Sequence, residues 1–132
     1  MDKMTFTMTI DVEKKHLDDL DHVNNLEYLK WGEIIAKKHW EFLIKDTDLE
    51  EHIWVILKHE ISYKKEGRLG DRILVMTWVG ETSALRSVRH FEFYKGKDLL
   101  AKMETTFCLF SIKSRKPIKI SEQVRNLLYP KP

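Results

Sequence analysis

The chain has 132 residues and a mass of 15.8 kDa, 42% of them hydrophobic and 33% charged, which is one globular domain's worth of material. Lys and Arg number 23 against 21 Asp and Glu, a net charge of +2, which argues against a protein that coats nucleic acid. No apolar run approaches the roughly 18 residues of a membrane span, and the lone cysteine, Cys108, excludes an internal disulfide or a cysteine-rich zinc site. The amino-terminal stretch lacks a cationic-then-apolar leader and carries Asp2 instead, so the expected address is the cytoplasm. Three prolines, five scattered glycines and no repeats leave no linker, and residues 1–132 read as a single domain.

In chain order, Met4–Val12 alternates and is rich in threonine, which predicts a short strand. Val23–Lys45 then reads as one long helix. Its apolar residues, among them Tyr28, Trp31, Ile35, Trp40 and Phe42, cover more than a narrow stripe, so a helix largely wrapped by other structure is expected. Ile53–Lys65 alternates on its odd positions Ile53, Val55, Leu57, Ile61 and Tyr63. Arg72–Val79 is apolar on both faces and needs cover on both, from the helix on one side and a second subunit or sheet on the other. Ser87–Tyr94 and Leu99–Ile112 pair through the turn Lys95-Gly96-Lys97-Asp98. Pro117 ends the last strand, and Ser121 caps a terminal helix Glu122–Leu128. Strand, long helix and then four antiparallel strands make an α+β domain with the helix packed on one sheet.

The chemistry concentrates in His16–Tyr28, where Asp18, Asp19, Asp21, His22, Asn24 and Asn25 lead into the helix. Two readings are open. In one, Asp19 or Asp21 caps the helix and the other polar groups sit at its positive end. In the other, a carboxylate stands beside unpaired backbone N–H groups that polarise a carbonyl, the equipment for attacking an ester or thioester. A cap needs one Asp rather than three, and Asn24-Asn25 is a poor opening for a packed helix.

Asp18, four residues before His22 in HVNNLEYLKW, resembles the signature of hotdog-fold thioesterases of the 4-hydroxybenzoyl-CoA and acyl-ACP thioesterase type. The likeness continues in Tyr63–Asp71, similar to the family's Y-x-x-x-x-x-x-G-D segment, and in Ser114–Ile120, similar to its R-P-x-x-I close. The resemblance implies a hotdog fold, a long central helix wrapped by a five- to six-stranded antiparallel sheet. It implies hydrolysis of acyl-CoA or acyl-ACP to a carboxylic acid and a thiol. Asp18 would be nucleophile or general base, the backbone N–H at Asn25 would receive the thioester oxygen, and His22 would assist. Asn24 and Tyr28 would line the substrate site. The residue before the histidine is usually Gly in the family, and here it is Asp21. The other reading of the same scaffold is a non-catalytic acyl-CoA-binding or assembly module.

Lys113, Arg115, Lys116 and Lys119 form a basic group which, with Tyr63, Lys64, Lys65 and Arg68, can hold the phosphates of coenzyme A or the acidic face of an acyl carrier protein. A solvated strand end is the plain alternative for any one of these lysines. The remaining histidines show no H-x-x-x-H or H-E-x-x-H spacing, so no metal is expected, and no other cofactor. No interleaved exposed aromatics support nucleic-acid binding. The two-faced strand and the resemblance both point to a homodimer or homotetramer.

Overall fold

The computed structural model describes residues 4–130; residues 1–3, among them Asp2, and residues 131–132 lie outside the described part. Strand β1 (Phe6–Asp11) is followed by a single 3-10 turn at Lys14–His16 and by helix α1 (Asn25–Ile44). Then come β2 (His52–Tyr63), β3 (Arg72–Thr82), β4 (Arg86–Lys95), β5 (Asp98–Ser111), the two-residue β6 (Lys116–Pro117) and helix α2 (Glu122–Leu128). The sheet order is β1-β3-β4-β5-β2, with β6 on β5 and every pairing antiparallel. The α+β order expected from periodicity therefore holds, and α1 connects the two edge strands.

The helix packs by one face. Tyr28, Trp31, Gly32, Ile35, His39 and Trp40 are buried, while Leu26, Ile34 and Phe42 are exposed. The antiparallel sheet wraps this face of the helix, as the hotdog arrangement expects, and leaves the opposite face exposed within one protomer. Gly32 lets the helix close onto the sheet: a Cβ there would stand 2.5 Å from Met103 Cε. Two apolar clusters result. The larger joins Trp31 and Ile35 to Ile73, Val75, Phe91, Phe93, Leu100 and Met103; the smaller joins Trp40 to Leu109, Ile120, Val124 and Leu128. Ser121 Oγ accepts from the Val124 N–H at 3.2 Å, the expected cap of α2. Gly96, at φ 57°, makes the expected tight β4–β5 turn. Pro117 falls inside β6 rather than ending β5, since the chain turns after Ser111 and pairs briefly with its own strand.

Strand β2 departs from simple alternation. Ile56 pairs with Phe107 but Lys58 with Thr106, so Leu57 is an extra residue. Before this bulge Trp54 and Ile56 face the helix, opposite buried Leu109 and Phe107; after it His59 and Ile61 do, opposite buried Thr105 and Met103. Ile53, Val55 and Leu57 consequently point outward on an edge strand. In β3, Ile73, Val75 and Thr77 are buried against the helix side, and Leu74, Met76 and Trp78 are half-buried on the outer face, Trp78 stacked on His90 at 5.5 Å.

Ile35 has no exposed surface and sits at the centre of the larger cluster. Ile35→Ala should lower the unfolding free energy by about 3 kcal/mol, since a methylene-rich side chain leaves a cavity that the sheet cannot collapse. Urea denaturation followed by circular dichroism measures this.

Candidate active site

The segment between β1 and α1 is a closed loop. Leu17 and Val23 face each other as an antiparallel bridge, the Asp18 N–H donates to the His22 carbonyl at 2.7 Å, and the Asp21 N–H donates to the Asp18 carbonyl at 3.1 Å. Closing so short a loop puts Asp21 at φ 60°, the left-handed region that glycine enters freely and Asp tolerates. Asp18 Oδ1 accepts from the N–H groups of Leu20 at 2.9 Å and His22 at 3.1 Å. These two donors, the His22 amide first, hold the Asp18 carboxyl below its usual range. Its other oxygen, Oδ2, has no hydrogen-bond partner among the described residues.

Two staples fix the loop. The Val23 N–H donates to the Gly67 carbonyl at 2.8 Å, extended by a bridge between His22 and Arg68. The Asn24 N–H donates to the carbonyl of His16 at 2.8 Å. The His16 ring, in turn, accepts the Glu13 N–H at Nδ1 at 2.9 Å and sits edge-on to Trp31 at 5.4 Å. A Cβ on Gly67 would stand 2.8 Å from Val23 Cγ2 and 3.2 Å from the Tyr28 hydroxyl, so the close approach requires a glycine.

Neither Asp19 nor Asp21 caps the helix. Asn24 does, its Oδ1 accepting from the Leu26 N–H at 3.0 Å, and α1 begins at Asn25 rather than Val23. The staples hold Asn24, not the aspartates, one residue outside the first turn. Asn25, at the first helical position, has an N–H with no intrahelical acceptor and no hydrogen bond among the described residues. Its carbonyl accepts from the Tyr63 hydroxyl at 3.1 Å, which ties the helix start to the end of β2. Tyr28 packs edge-on against Tyr63, Trp31 and Phe93, and burial pushes its phenol up to about 12.

These elements line a cavity of about 530 Å³ that takes in Asp18, His22, Asn25, Tyr28, Tyr63, Lys64, Lys65, Glu66 and Arg68. Of the residues singled out in the sequence, three stand elsewhere. Asn24 spends its side chain on the cap. Arg115 and Lys116 follow the far end of β5: Tyr63 pairs with Ala101, whereas Lys116 pairs with Ser111, roughly 33 Å along the strand. The basic residues expected as one cluster are therefore two groups at opposite ends of the β2–β5 pair.

Glu66 was not distinguishable in the sequence, yet its carboxylate lies 3.2 Å from His22 Nε2 and pairs with Arg68. Arg68 holds the Glu66 carboxyl below its ordinary value. Nothing local marks Glu66, because its partner arrives from the loop before α1. Lys65 pairs with Asp98 at 3.0 Å and Lys95 with Asp71 at 2.9 Å, which leaves Lys64 without an ion pair among the described residues.

The profile of the acyl-ACP thioesterase N-terminal domain matches residues 3–128. Among solved structures, a predicted thioesterase from Bacillus stearothermophilus superposes with a TM-score of 0.84 at 20% identity, covering 95% of this chain and 94% of its own. The 1,4-dihydroxy-2-naphthoyl-CoA thioesterase of Synechocystis gives 0.79 at 18% identity, covering 98% of this chain and 100% of its own. A Staphylococcus aureus protein solved in complex with CoA gives 0.80 at 18% identity, covering 96% and 83%. These likenesses establish the hotdog fold expected from the sequence. Among curated protein sequences, none matches this chain.

The capping role separates Asn24 from the cavity residues. Asn24→Ala should cost about 1 kcal/mol of stability, and Asn24→Ser should restore it. Thermal melts of the three proteins side by side make the comparison.

Proposed function

Because the chain belongs to the family of the acyl-ACP thioesterase N-terminal domain, we propose that it hydrolyses an acyl thioester, acyl-CoA or acyl-ACP, to a carboxylic acid and a thiol. The observation that carries this reading is the meeting of the Asp18 carboxylate and the unengaged Asn25 N–H in one cavity. The thioester oxygen sits on that N–H at the positive end of α1, where negative charge develops as the carbonyl carbon is attacked. Asp18 Oδ1 is occupied by two amides while Oδ2 has no hydrogen-bond partner among the described residues, which leaves Oδ2 to attack the carbonyl carbon directly. Attack forms an acyl–Asp18 anhydride and breaks the carbon–sulfur bond; the thiolate leaves and takes a proton from solvent. Water then adds to the acyl carbon, freeing the carboxylic acid and regenerating Asp18. His22, held by Glu66, lies beside the cavity to steer that water.

Lys64 takes a phosphate of the substrate's thiol portion, and Lys65 and Arg68 reinforce it by exchanging their present carboxylate partners. The working unit is a homodimer or a larger assembly of such pairs. Edge strand β2 offers unpaired backbone groups beside the outward residues Ile53, Val55 and Leu57, a surface that a second copy can cover by antiparallel pairing. Arg115 and Lys116 can contribute to phosphate binding only from such a second chain. Asp21 keeps the left-handed backbone that the family's usual glycine would supply, so this departure leaves the course of the loop unchanged.

Asp18→Asn should abolish thiol release from a panel of aliphatic and aromatic acyl-CoA esters, read with a thiol reagent, while the circular dichroism spectrum is unchanged. Full activity in this variant would sink the assignment. A rapid-quench single turnover separates the two roles of Asp18: attack by the carboxylate releases the thiol ahead of the acid and leaves the acyl group on the protein in between, and activation of water releases thiol and acid together.

The pH dependence follows from the same contacts. With its folded value lowered, the Asp18 carboxylate and the loop it stabilises are fully charged above the ordinary ~3.9 and lose that charge only as pH falls through the lower folded value. The acid limb of kcat/KM due to Asp18 should therefore lie below about 4. A profile of kcat/KM against pH checks this, with unfolding followed in parallel.

A further inference from the structure

A second cavity, of about 470 Å³, opens beneath the C-terminal half of α1 against β2, β4 and β5. Its volume is in the range of small-molecule sites. Trp40, Trp54 and Phe107 give it apolar walls, and Arg89 on the inward face of β4 lines it from below.

Arg89 is only 5% exposed, yet it has no salt bridge among the described residues. Its Nη1 donates to His39 Nδ1 at 2.8 Å and to Thr77 Oγ1 at 3.3 Å. Neither partner is an anion: burial, with the adjacent Arg89 charge, lowers His39 to about 4, so its ring is neutral at pH 7. A buried cation without a counter-charge costs several kcal/mol unless something supplies one.

Two further lining residues carry polar atoms without partners. His52 Nδ1 and Trp54 Nε1 are the buried side-chain nitrogens that lack any hydrogen bond among the described residues. The hydroxyl-bearing Ser87 also lines the cavity. Apolar walls around one uncompensated guanidinium and spare donors suit an amphipathic anion with a planar, oxygen-bearing head. The rim carboxylates Glu33, Glu41 and Glu50 belong to exposed residues and do not pair with Arg89, so its charge remains available inside.

We propose that this cavity is a carboxylate-recognition pocket, in which Arg89 receives the carboxylate of an acid whose hydrocarbon part lies against Trp40, Trp54 and Phe107. The carboxylate has two sources. It is the head of a free fatty acid, or it is the far end of an acyl group whose thioester lies in the first cavity. Asn25 and Trp40 are fifteen residues apart on α1, about 22 Å, so only a long dicarboxylic acyl group reaches both. The second source rests on the thioesterase reading; the pocket itself does not.

Calorimetric titration of the full chain with decanoate and with decan-1-ol is the test. Decanoate should bind more tightly than the alcohol. Arg89→Gln should weaken decanoate by about tenfold or more and leave the alcohol unchanged. Trp54→Phe, which keeps the ring and deletes the donor, should weaken decanoate selectively even if Arg89→Gln does not fold. Equal binding of acid and alcohol, or decanoate affinity unchanged in the folded variants, overturns the pocket. Turnover of octadecanedioyl-CoA and octadecanoyl-CoA separates the sources: a loss in Arg89→Gln confined to the dicarboxylic ester identifies the acyl group, and equal behaviour of the two esters identifies the free acid. If neither ester turns over in the native protein, the thioesterase reading fails and the titration still decides the pocket.

Discussion

One backbone hydrogen bond, from the Val23 N–H to the Gly67 carbonyl, sets the geometry on which the candidate active site depends. It joins two segments far apart in sequence: the loop entering α1 and the loop leaving β2. With Val23 anchored, the chain before it must turn back within Asp18–His22, and that reversal aims two amide N–H groups at the Asp18 carboxylate. The chain after it must start its helix at once, which leaves the Asn25 N–H facing the same cavity. The bond needs Gly67, because any side chain there would meet Val23 and Tyr28. The position of the carboxylate is thus decided by backbone packing around it, not by a contact of its own with a distant side chain.

Charge is handled differently in the two cavities. Around Asp18 nearly every cation has an anionic neighbour: Arg68 with Glu66, Lys65 with Asp98, Lys95 with Asp71. These pairs belong to exposed or partly exposed residues, so each is worth little and exchanges readily for a phosphate. Arg89 is the opposite case, deeply buried and paired only with neutral groups. Burial lowers it to about 10, which still leaves it charged at pH 7. The near-zero net charge of the chain conceals this contrast, since a sum over residues carries no information about which charges are solvated.

The legible parts of the fold were those set by local periodicity. The strand–helix–four-strand order, the Gly96 turn and the Ser121 cap all depend on residues within a few positions of one another. The bulge at Leu57 was hidden because leucine is apolar whichever way it points, and one inserted residue reverses the phase of a strand without changing its composition. The identity of the cap was not legible for a related reason. Asp19, Asp21 and Asn24 are all competent caps, and a long-range staple at Val23 chooses among them. Asp18, His22 and Asn25, which the structure brings to one cavity, were legible as candidates because they share one segment. Glu66 was missed because its role exists only once the two loops meet, and Arg115 and Lys116 were misgrouped because the strand between them and Tyr63 is extended.

The antiparallel run of α1 past β2 gives the two cavities opposite electrostatic settings. Tyr63 meets the start of the helix and His52 meets Trp40 near its end, where the Trp40 Nε1–H donates to the His52 carbonyl at 3.1 Å. The helix start favours negative charge through its unpaired N–H groups, which suits a developing oxyanion beside Asn25. Toward the C-terminal half the dipole disfavours an anion, and at the rim Glu33, Glu41 and Glu50 outnumber the one cation, Lys37. A cation inside the second cavity is therefore needed before any carboxylate can settle there. Arg89, on a central strand where an apolar residue would pack at lower cost, supplies it.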